Sequence, residues 1–442
     1  MTIPQLTTNI DTAPVIDAAA TSHCPTEPVI IPPKIPLAFL LQDLEAGGVQ
    51  KMMLIVTGAL ASRGYPVTLL LCSNTGPLRR QLPAGVGPVE LKAGPGWRAR
   101  LYALAADPAG FKTLLHPVLL SRKSFKTLNH LPDLVHYLRR EQPAVLFAAT
   151  PYLNIMAVLA RRLAGTATRL VISERTNLST NLAHLGTGST DWRRRYLPPL
   201  MQRSYPMADA IVAVSDGVAD DLAAHIGIPR QAISRIYNPS VLPDLPDRAR
   251  AAVDHPWFAP GAPPVVLSVG RLGKQKDFPT LLRAFARVRA TRPLRLMILG
   301  EAGEPGKQAD RQARLMALAA ELDIIDDVAL AGFVSNPFAY MARAAVLVLS
   351  SLYEGFPNVL IEALACGCPV VSTDCPSGPA EILDQGRFGQ LVPVGDEAAM
   401  AEAIGAVLDT PPEPQALRAR AALFSFERAI DNYEEILLGK KQ

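Results

Sequence analysis

Two glutamates, Glu354 and Glu362, flank the start of a predicted helix in the segment of the chain that is most informative about function. Pro357 favours the first position of a helix and Gly367 favours its end, so we expect a short helix from Pro357 to Cys366. Glu354 then lies in the preceding loop, close to the free backbone N–H groups and the positive end of the helix dipole. A loop of this kind can bind a polyhydroxylated or anionic ligand. The alternative is structural: Glu354 complements the dipole, and Glu362 lies on a solvated helix face.

A second group of charged residues, Arg271, Lys274 and Lys276, lies between a predicted strand and a predicted helix. Cations at the N-terminus of a helix meet the positive end of its dipole, which is unfavourable. A bound anion removes this conflict, because Arg and Lys hold phosphates through charge-assisted hydrogen bonds. The pattern indicates an anion site, with a solvated basic loop as the alternative.

The residues from Glu354 to Asn358, the second glutamate, the small residues that end the helix and the Pro-Val-Val-Ser strand after it form one pattern. This pattern resembles the Glu-x7-Glu motif of the retaining glycosyltransferases of family four, which have the two-domain GT-B fold. The resemblance implies transfer of a hexose or N-acetylhexosamine from a nucleotide diphosphate sugar, UDP-linked, to a hydroxyl group. The implied acceptor is a lipid-linked glycan or a polysaccharide precursor.

The resemblance also implies how the donor diphosphate is held. Arg271 and Lys276 fall on the positions that neutralise the departing diphosphate in this family, whereas Lys274 matches no recognised role. Compensation by protein cations makes a metal unnecessary, and the sequence contains no convincing cluster of carboxylate ligands. We therefore expect no metal and no cofactor, with the nucleotide sugar as a substrate.

The two glutamates have separate roles under the same resemblance. Glu354 would hydrogen-bond hydroxyl groups of the transferred sugar, helped by the backbone N–H groups of Phe356 and Asn358. Glu362 would bind the ribose hydroxyls. A leaving-phosphate oxygen would take the acceptor proton on the same face, so that the configuration is retained without a protein base.

Glycine-rich turns provide further contacts with the donor. Gly300 follows a predicted strand at the carboxyl edge of a parallel sheet, where open α/β folds bind nucleotides. Phe333 and Val334 end another strand at this edge and are expected to border the base. Gly47 and Gly48 open a helix in the first domain, and they resemble the family's glycine-rich loop that faces the donor phosphates. A simple tight helix entry is the structural alternative.

A polar segment in the first domain, Glu174, Arg175 and Asn177, follows a predicted strand. It resembles a segment of hexose and acetamido-hexose transferases in the family, so we expect it to contact the acceptor or the diphosphate. The chain departs from the family at the end of another strand, where many members have a histidine near the donor sugar. The corresponding stretch, Phe147 to Pro151, has none, which leaves that role vacant.

Repeated strand–helix units predict an α/β fold with two Rossmann-like, doubly wound domains that face each other across a cleft. The C-terminal helix, with Phe426, Tyr433 and Leu437, is expected to cross back onto the first domain. The Gly- and Pro-interrupted stretch from Arg79 to Arg122 gives no clear assignment. The expected divisions are a disordered extension (1–34), an acceptor-side domain (35–240), a linker (241–263), a donor-binding domain (264–420) and the C-terminal helix (421–442).

Composition limits the classes of partner and the compartment that we expect for the protein. A net charge of +4 over 442 residues gives no reason to expect nucleic-acid binding. Five scattered cysteines are typical of a reducing compartment, and we expect Cys366 and Cys368 to be core residues rather than zinc ligands. The N-terminal stretch has neither a basic start nor an apolar run, and no segment is apolar for long enough to span a membrane. These features predict a cytoplasmic protein.

Three successive arginines, Arg193, Arg194 and Arg195, stand between Trp192 and Tyr196. Clustered basic residues are attracted to anionic bilayers by roughly 1 kcal/mol each. The cluster is therefore consistent with peripheral contact at the inner membrane surface or with a lipid diphosphate acceptor. A solvated helix face is the alternative.

Two other classes of function fit the same fold. A sugar-nucleotide epimerase would need an acid/base set in the cleft, and it would form product without an acceptor. A non-catalytic sugar-nucleotide-binding protein would keep the binding residues and show no turnover. A dinucleotide oxidoreductase is disfavoured, because no Gly-x-Gly-x-x-Gly follows an early strand.

Overall fold

Two parallel β-sheets, each flanked by helices, make up the chain from Ile35 onward. The computed structural model describes residues 34–45, 47–120, 126–183, 191–301, 306 and 308–440, without the side chains of 191–194. The expected extension, 1–34, lies outside the described residues except for Lys34. The predicted α/β class with two Rossmann-like domains is confirmed.

The first sheet has seven strands in the order β3-β2-β1-β4-β5-β6-β7, and each neighbouring pair is parallel. Its strands are β1 (Leu37–Leu41), β2 (Val67–Leu71), β3 (Val86–Glu90), β4 (Val145–Ala149), β5 (Arg169–Glu174), β6 (Ala210–Ala213) and β7 (Ile233–Arg235). The second sheet has six parallel strands in the order β10-β9-β8-β11-β12-β13. They are β8 (Val265–Val269), β9 (Arg295–Leu299), β10 (Val328–Gly332), β11 (Val346–Leu349), β12 (Val370–Thr373) and β13 (Gln390–Val392).

The helices connect the strands and cover both faces of each sheet. Those of the first part of the chain are α1 (Gly48–Ser62), α2 (Gly96–Ala106), α3 (Phe111–Leu114), α4 (Leu131–Glu141), α5 (Pro151–Ala164), α6 (Leu178–Ala183), α7 (Asp191–Ser204), α8 (Asp216–Ile226) and α9 (Leu245–Arg250). The remainder are α10 (Phe278–Arg289), α11 (Gln308–Glu321), α12 (Pro337–Met341), α13 (Asn358–Cys366), α14 (Pro379–Ile382), α15 (Glu397–Asp409), α16 (Pro414–Ala421) and α17 (Phe426–Leu438).

The central strands are continuous apolar runs. Every residue of β1, β4 and β11 is buried, which is typical of parallel strands that have helices on both sides. Cys366 and Cys368 are buried with free thiols, as expected for core residues.

Each sheet contains a point where the strand order reverses, between β1 and β4 in the first sheet and between β8 and β11 in the second. Open α/β sheets bind ligands in the crevice outside the carboxyl ends of the strands at such points. The loops that leave β1, β8 and β11 carry Gly47, Arg271 and Glu354 respectively. The topology thus places three of the predicted site segments at the two switch points.

The C-terminal helix α17 packs against the first sheet. Ile430, Tyr433 and Leu437 are buried in the same core cluster as β1 and β4, and Phe426 is partly buried there. Glu434 accepts hydrogen bonds from Arg63 (2.5 Å) and from the hydroxyl of Tyr65 (2.7 Å). The last helix therefore belongs structurally to the domain that begins the chain.

Two regions contain more structure than the sequence indicated. The stretch 79–122 contains β3, α2 and α3, and the expected linker contains α9, which packs against α12 and α13. The helix after Glu354 begins at Asn358, with Pro357 at the N-cap rather than at the first helical position. Its end is as expected, because Gly367 adopts a left-handed conformation (φ 79°).

Candidate active site

Glu354 lies in the loop between β11 and α13, and its carboxylate is held by groups of the same domain. It accepts hydrogen bonds from the Lys276 ammonium (2.6 Å), the hydroxyl of Ser351 (2.7 Å) and, at 3.4 Å, the amide of Gln275. Only 8% of Glu354 is exposed. A carboxylate this buried needs a cation and several donors, so its position is fixed before any ligand binds.

Lys276 is itself positioned by backbone contacts. It ends a short turn (Lys274–Lys276) whose next residue, Asp277, is left-handed (φ 43°). The hydroxyl of Ser350 donates to the carbonyl oxygen of Lys276 (2.6 Å), which ties the turn to the end of β11. A Cβ atom on Gly270 would lie 2.8 Å from Cε of Lys276. The side chain thus passes over the end of β8 because that strand is followed by a glycine.

Arg271 is exposed, and within the described ranges its guanidinium takes part in no ion pair. Burial raises the pKa of the phenol of Tyr353, the residue before Glu354, and the charge of Arg271 partly opposes that rise. Arg271 therefore lies near Tyr353. Lys274 is exposed as well. The loop therefore presents one cation paired to a carboxylate, Lys276, beside another that is available to an anion, Arg271.

Glycine is required at the end of β9. Gly300 has φ 146°, and a Cβ atom there would approach the carbonyl oxygen of Gly270 to 2.0 Å. Its N–H donates to the carbonyl oxygen of Gly332 at the end of β10 (2.7 Å). Phe333 follows and is 61% exposed, whereas Val334 packs partly against the core. Glycines at the ends of β8, β9 and β10 leave this edge of the sheet without side chains, and the exposed ring of Phe333 lies beside it.

Glu362 lies on α13, facing charges from two other parts of the chain. Burial raises the pKa of Glu362 to about 7, and the nearby charges of Lys51 and Arg248 partly oppose the rise. Glu362 as a residue is partly accessible to solvent. It can take up or release a proton near neutral pH.

The N-terminus of α1 has no side-chain cap and no acidic residue in its first turn. A Cβ atom on Gly48 would have nothing within 4 Å among the described atoms, whereas one on Gly47 would meet the side chain of Gln50. Backbone N–H groups at an uncapped helix start attract anions. Lys51, in the same turn, adds a positive charge that influences Glu362.

Phe356 and Asn358 hold the Glu354 loop against the first domain. The Phe356 ring stacks on Tyr237 with centroids 4.9 Å apart, and the Asn358 side-chain oxygen accepts from the amide of Asn238 (2.8 Å). Their expected contribution through backbone N–H groups stays a prediction.

Protein groups enclose the first-domain segment that the sequence predicted to contact the acceptor or the diphosphate. Glu174, which is 2% exposed, accepts hydrogen bonds from Asn154 (2.8 Å) and from the hydroxyl of Tyr205. Arg175, 8% exposed, donates to Asn238 (2.9 Å) and to the hydroxyl of Tyr433 on α17 (2.5 Å).

Asn177 completes this segment. Its amide donates to Ser377 of the second domain (2.9 Å), and its side-chain oxygen accepts from the N–H of Thr180 at the start of α6 (3.0 Å). Because all three side chains of the segment have protein partners, the structure gives no support to their expected contact with acceptor or diphosphate.

Further bonds join the two domains around the site. The hydroxyl of Ser215 donates to the carbonyl oxygen of Gly355 (2.9 Å), and Glu381 accepts from the N–H of Asp216 at the start of α8 (3.0 Å). A Cβ atom on Gly355 would lie 2.0 Å from the carbonyl oxygen of Arg175. The loop that carries Glu354 is therefore in direct contact with the opposite domain.

Other residues that the sequence pointed to are described only in part. Thr150 follows β4, where the family histidine is absent, and has φ 103°. Arg195 is exposed on α7, whereas the side chains of Arg193 and Arg194 lie outside the described residues. In the part of the chain that is described, no group of three potential ligands could hold a metal ion, and no helix is long and apolar enough to cross a bilayer.

Sequence reasoning missed four residues of the site: Lys51, Arg248, Gln275 and Ser351. Lys51 had a detectable signal, because it is a cation in the first turn of an uncapped helix, the same conflict that pointed to Lys276. Ser351 was local as well, since it lies three residues before Glu354. Arg248 and Gln275 had no local signal, since their roles depend on where the chain folds back.

Two family models match this chain, and together they cover both sheets. The model described as "Glycosyltransferase Family 4" matches residues 46–240, and the one described as "Glycosyl transferases group 1" matches residues 263–410.

Several curated relatives are bacterial glycosyltransferases. The chain is 36% identical over 256 residues to the N-acetylgalactosamine-N,N'-diacetylbacillosaminyl-diphospho-undecaprenol 4-alpha-N-acetylgalactosaminyltransferase of Campylobacter jejuni, covering 58% of this chain and 64% of that one. It is 27% identical over 411 residues to the lipopolysaccharide core biosynthesis glycosyltransferase LpsE of Rhizobium meliloti, covering 89% and 96%. The match to the lipopolysaccharide 1,6-galactosyltransferase of Salmonella typhimurium, 32% identical, spans 42% of this chain and about half (49%) of that relative.

Solved structures agree in fold. Anabaena HepE in complex with UDP and glucose superposes with a TM-score of 0.69 at 18% identity, over 92% of this chain and all (100%) of that one. A glycosyltransferase from Rickettsia africae gives a TM-score of 0.70 at 17% identity over the same shares. With both sheets matched by family models and the whole described fold shared with these enzymes, the chain belongs to the GT-B glycosyltransferases of family four.

Proposed function

We propose that the protein is a retaining glycosyltransferase that moves a hexose or N-acetylhexosamine from a UDP-linked donor to a hydroxyl group of a lipid-linked or polysaccharide-precursor glycan. The observation that carries this proposal is the Lys276–Glu354 ion pair beside the exposed Arg271. Cations for a diphosphate and a carboxylate for sugar hydroxyls stand next to each other at the carboxyl edge of the second sheet.

Three similar proteins support the substrate classes. The Campylobacter relative is named for a diphospho-undecaprenol acceptor, and the Rhizobium relative for lipopolysaccharide core biosynthesis. HepE binds UDP and glucose. We extend these classes, and not the individual sugars, to this chain.

In the proposed donor complex, the diphosphate lies against Arg271 and Lys276. Lys276 then bridges a phosphate oxygen and Glu354, so the positive charge faces both the leaving group and the sugar-binding carboxylate. The uncapped start of α1 at Gly47 and Gly48 adds backbone donors from the opposite domain. Stabilising developing charge in a water-poor cleft is usually the largest catalytic contribution.

The remaining groups orient the sugar and nucleoside. Glu354 accepts hydrogen bonds from hydroxyls of the transferred sugar, and Glu362 accepts from the ribose. The backbone near Gly300 allows close approach of the nucleotide, and Phe333 with Val334 borders the base.

The bond changes follow from retention. The acceptor oxygen attacks the anomeric carbon on the face from which the diphosphate leaves, the bond from that carbon to the phosphate oxygen breaks, and the acceptor proton passes to a phosphate oxygen. Protein cations compensate the diphosphate, so the reaction is independent of a divalent metal.

A lipid-linked acceptor would bring the enzyme to a membrane surface. We include peripheral contact with the inner, cytoplasmic face through Arg193, Arg194 and Arg195 in the proposal, of which the exposed Arg195 is the described example.

Proton NMR of the product tests this function. The purified chain is incubated with UDP-hexoses or UDP-N-acetylhexosamines and a lipid diphosphate glycan, in chelator and then with added magnesium or manganese. We expect transfer that survives chelator and keeps the donor's anomeric configuration. An inverted linkage, or activity that only a metal restores, would overturn the mechanism.

Two controls separate the alternatives. A changed sugar nucleotide formed without acceptor would indicate an epimerase. Binding of UDP-sugars without transfer or hydrolysis across the panel would indicate a non-catalytic binding protein.

A further inference from the structure

A chain of hydrogen-bonded side chains leads from the C-terminal helix to the start of α13. Arg175 donates to the hydroxyl of Tyr433 on α17 (2.5 Å) and to the side-chain oxygen of Asn238 (2.9 Å). The side-chain N–H2 group of Asn238 in turn donates to the side-chain oxygen of Asn358 (2.8 Å), the first residue of α13. The chain of bonds therefore crosses from the first domain to the helix that carries Glu362.

The chemistry of Arg175 determines the orientation of both amides. A guanidinium group has N–H donors and no acceptor, so the atom of Asn238 that faces it must be the oxygen. The N–H2 group of Asn238 then faces Asn358, and the atom of Asn358 that it meets must be an oxygen as well. The N–H2 group of Asn358 is thereby directed away from Asn238.

Arg175 is itself held in place by the first domain and by α17. It is 8% exposed, and its guanidinium lies over the ring of Tyr433 at 5.7 Å as well as bonding to the hydroxyl of that residue. A buried cation with these contacts presents only donors to Asn238. The orientation of the Asn358 amide is thus set from the opposite domain.

The N–H2 group of Asn358 is an unused donor beside the proposed donor site. Among the residues that the structure describes, no protein acceptor lies within hydrogen-bond distance of it. Asn358 is partly exposed, and it follows Glu354 by four residues and precedes Glu362 by four. Residues four apart share one side of a helix, so Asn358 and Glu362 lie together. The free N–H2 group is available to an oxygen of the nucleotide sugar.

Two kinds of oxygen in a nucleotide sugar can accept this bond, and they differ in what they require. A sugar hydroxyl both donates and accepts, so either orientation of the Asn358 amide would serve it. A phosphate oxygen only accepts, so it requires the N–H2 group. The bonds from Arg175 impose the orientation that a phosphate needs.

We propose that the side-chain N–H2 group of Asn358 donates to the diphosphate of the nucleotide sugar, and that Asn238 is the positioning residue that holds it in this orientation. The first domain then contributes to diphosphate binding through a residue that does not touch the ligand. The inference rests on the proposed function, because it assigns a further contact in the same donor site.

Asn238→Asp tests the orientation. A carboxylate accepts from Arg175 and has no N–H, so Asn358 must turn its amide over to keep their hydrogen bond. Every bond of the chain is kept, so the midpoint of thermal unfolding should stay near that of wild type. UDP affinity in titration calorimetry should fall at least about tenfold, because the amide oxygen now faces the phosphate.

The opposite result would be decisive, since unchanged UDP affinity in folded Asn238→Asp would overturn the proposal. Removal of Arg175 is a weaker test of orientation. It leaves both orientations open, and this alone lowers affinity only about twofold.

The effect of the added charge is measured separately in the Asn358→Ala variant. This variant lacks the amide and should itself lose UDP affinity. Adding Asn238→Asp to it should cost little more, because no amide remains to be turned. Equal losses from Asn238→Asp in both backgrounds would assign the effect to its charge and overturn the proposal. If Asn238→Asp does not fold, Asn238→Ala takes its place in the same cycle, with additive losses as the contradicting outcome.

Tyr237→Phe is the matched control. The hydroxyl of Tyr237 donates to Glu381 of the second domain (2.7 Å), so the variant removes another bond between the domains and keeps the ring that stacks on Phe356. It should bind UDP like wild type. A loss as large as that of Asn238→Asp would show that any contact between the domains matters equally, which would overturn the proposal.

Failure of the proposed function would be seen in the wild type. A wild type that neither binds UDP nor transfers sugar would overturn that function and this contact with it. A wild type that transfers sugar, with Asn238→Asp binding UDP equally well, would overturn this inference alone.

Discussion

The carboxyl edges of the two sheets carry similar residue types and use them differently. In the second sheet, Lys276 and Glu354 bond to each other and to groups in their own loops, beside the exposed Arg271. In the first sheet, Glu174 and Arg175 bond to groups from distant elements.

The partners at the first edge explain the difference. Tyr205 precedes β6, Tyr433 belongs to α17, and Ser377 comes from the second domain. The second edge, where we propose the ligand site, is thus held together by groups of its own domain. The first edge is a junction that joins the sheet, the C-terminal helix and the opposite domain. The position of a polar residue at a strand end predicts that its side chain lies at the edge of the sheet. It does not predict which protein groups already form hydrogen bonds with that side chain.

The largest expected effect is at the second edge. Lys276→Ala should lower kcat at least tenfold, because it removes a charged hydrogen bond to the leaving diphosphate, worth about 1.5–3 kcal/mol, and leaves the buried Glu354 without its cation. Arg271→Ala should lower it comparably through the diphosphate alone.

Steady-state kinetics with the UDP-sugar donor measures both effects, with Lys274→Ala as the control cation in the same turn. Unchanged kinetics in a folded Arg271→Ala/Lys276→Ala variant would remove the phosphate site from the mechanism.

The next effect separates the two glutamates within the second edge. Glu362→Gln should mainly weaken binding of UDP, since its proposed partner is the ribose, and Glu354→Gln should keep UDP affinity while lowering turnover. Titration calorimetry with UDP tests both. Equal losses of affinity in the two variants would show that the roles are wrongly assigned.

The raised pKa of Glu362 adds a pH test. Because burial raises its pKa to about 7, the carboxyl group is largely neutral at pH 6 and largely ionised at pH 8. UDP affinity of the wild type should therefore rise over this range relative to Glu362→Gln, which keeps a neutral side chain throughout. The variant controls for ionisation of the phosphate itself. Parallel pH profiles would argue against a ribose contact through the carboxylate.

At the first edge we expect loss of stability instead of loss of chemistry. Arg175→Met should lower the free energy of unfolding by about 1–3 kcal/mol, because Asn238 and Tyr433 lose a charged donor in a buried place. Thermal unfolding measures this, and Arg140→Met, which affects an exposed ion pair, is the control. A stable variant with an altered KM for acceptor would instead return this segment to the acceptor site.

The sequence predicted the second edge better for a physical reason. The helix start after Glu354, the left-handed Gly367 and the cations before α10 are local signals, and the structure places each within a residue or so of its expected position. Pairing between Lys276 and Glu354 was not predictable, because 78 residues separate them.

Elsewhere the local signals were weak or absent. α2 went unassigned because its buried side consists of alanines and its large apolar residues face outward, which is opposite to the usual pattern. The partners of Glu174 and Arg175 come from later in the chain, so no local pattern could reveal them.

The last expected effect is a pH dependence of stability that originates at the first edge. Burial raises the pKa of Glu174 to about 7 from its ordinary value of 4.5. Below pH 4.5 the carboxyl group is protonated in both the folded and unfolded states. Between pH 4.5 and 7 the unfolded chain releases the proton while the folded chain keeps it, so stability falls as pH rises, by up to about 1.4 kcal/mol per unit. Above pH 7 the loss is complete.

Glu174→Gln keeps the shape and an acceptor oxygen for Tyr205, so it should match wild type near pH 4.5 and exceed it at pH 8. Denaturant unfolding at several pH values measures this, with Glu362→Gln as the matched variant, because its own raised pKa acts in the same direction. If stability of Glu174→Gln falls with pH as steeply as that of wild type, the buried carboxyl group at this junction does not control it.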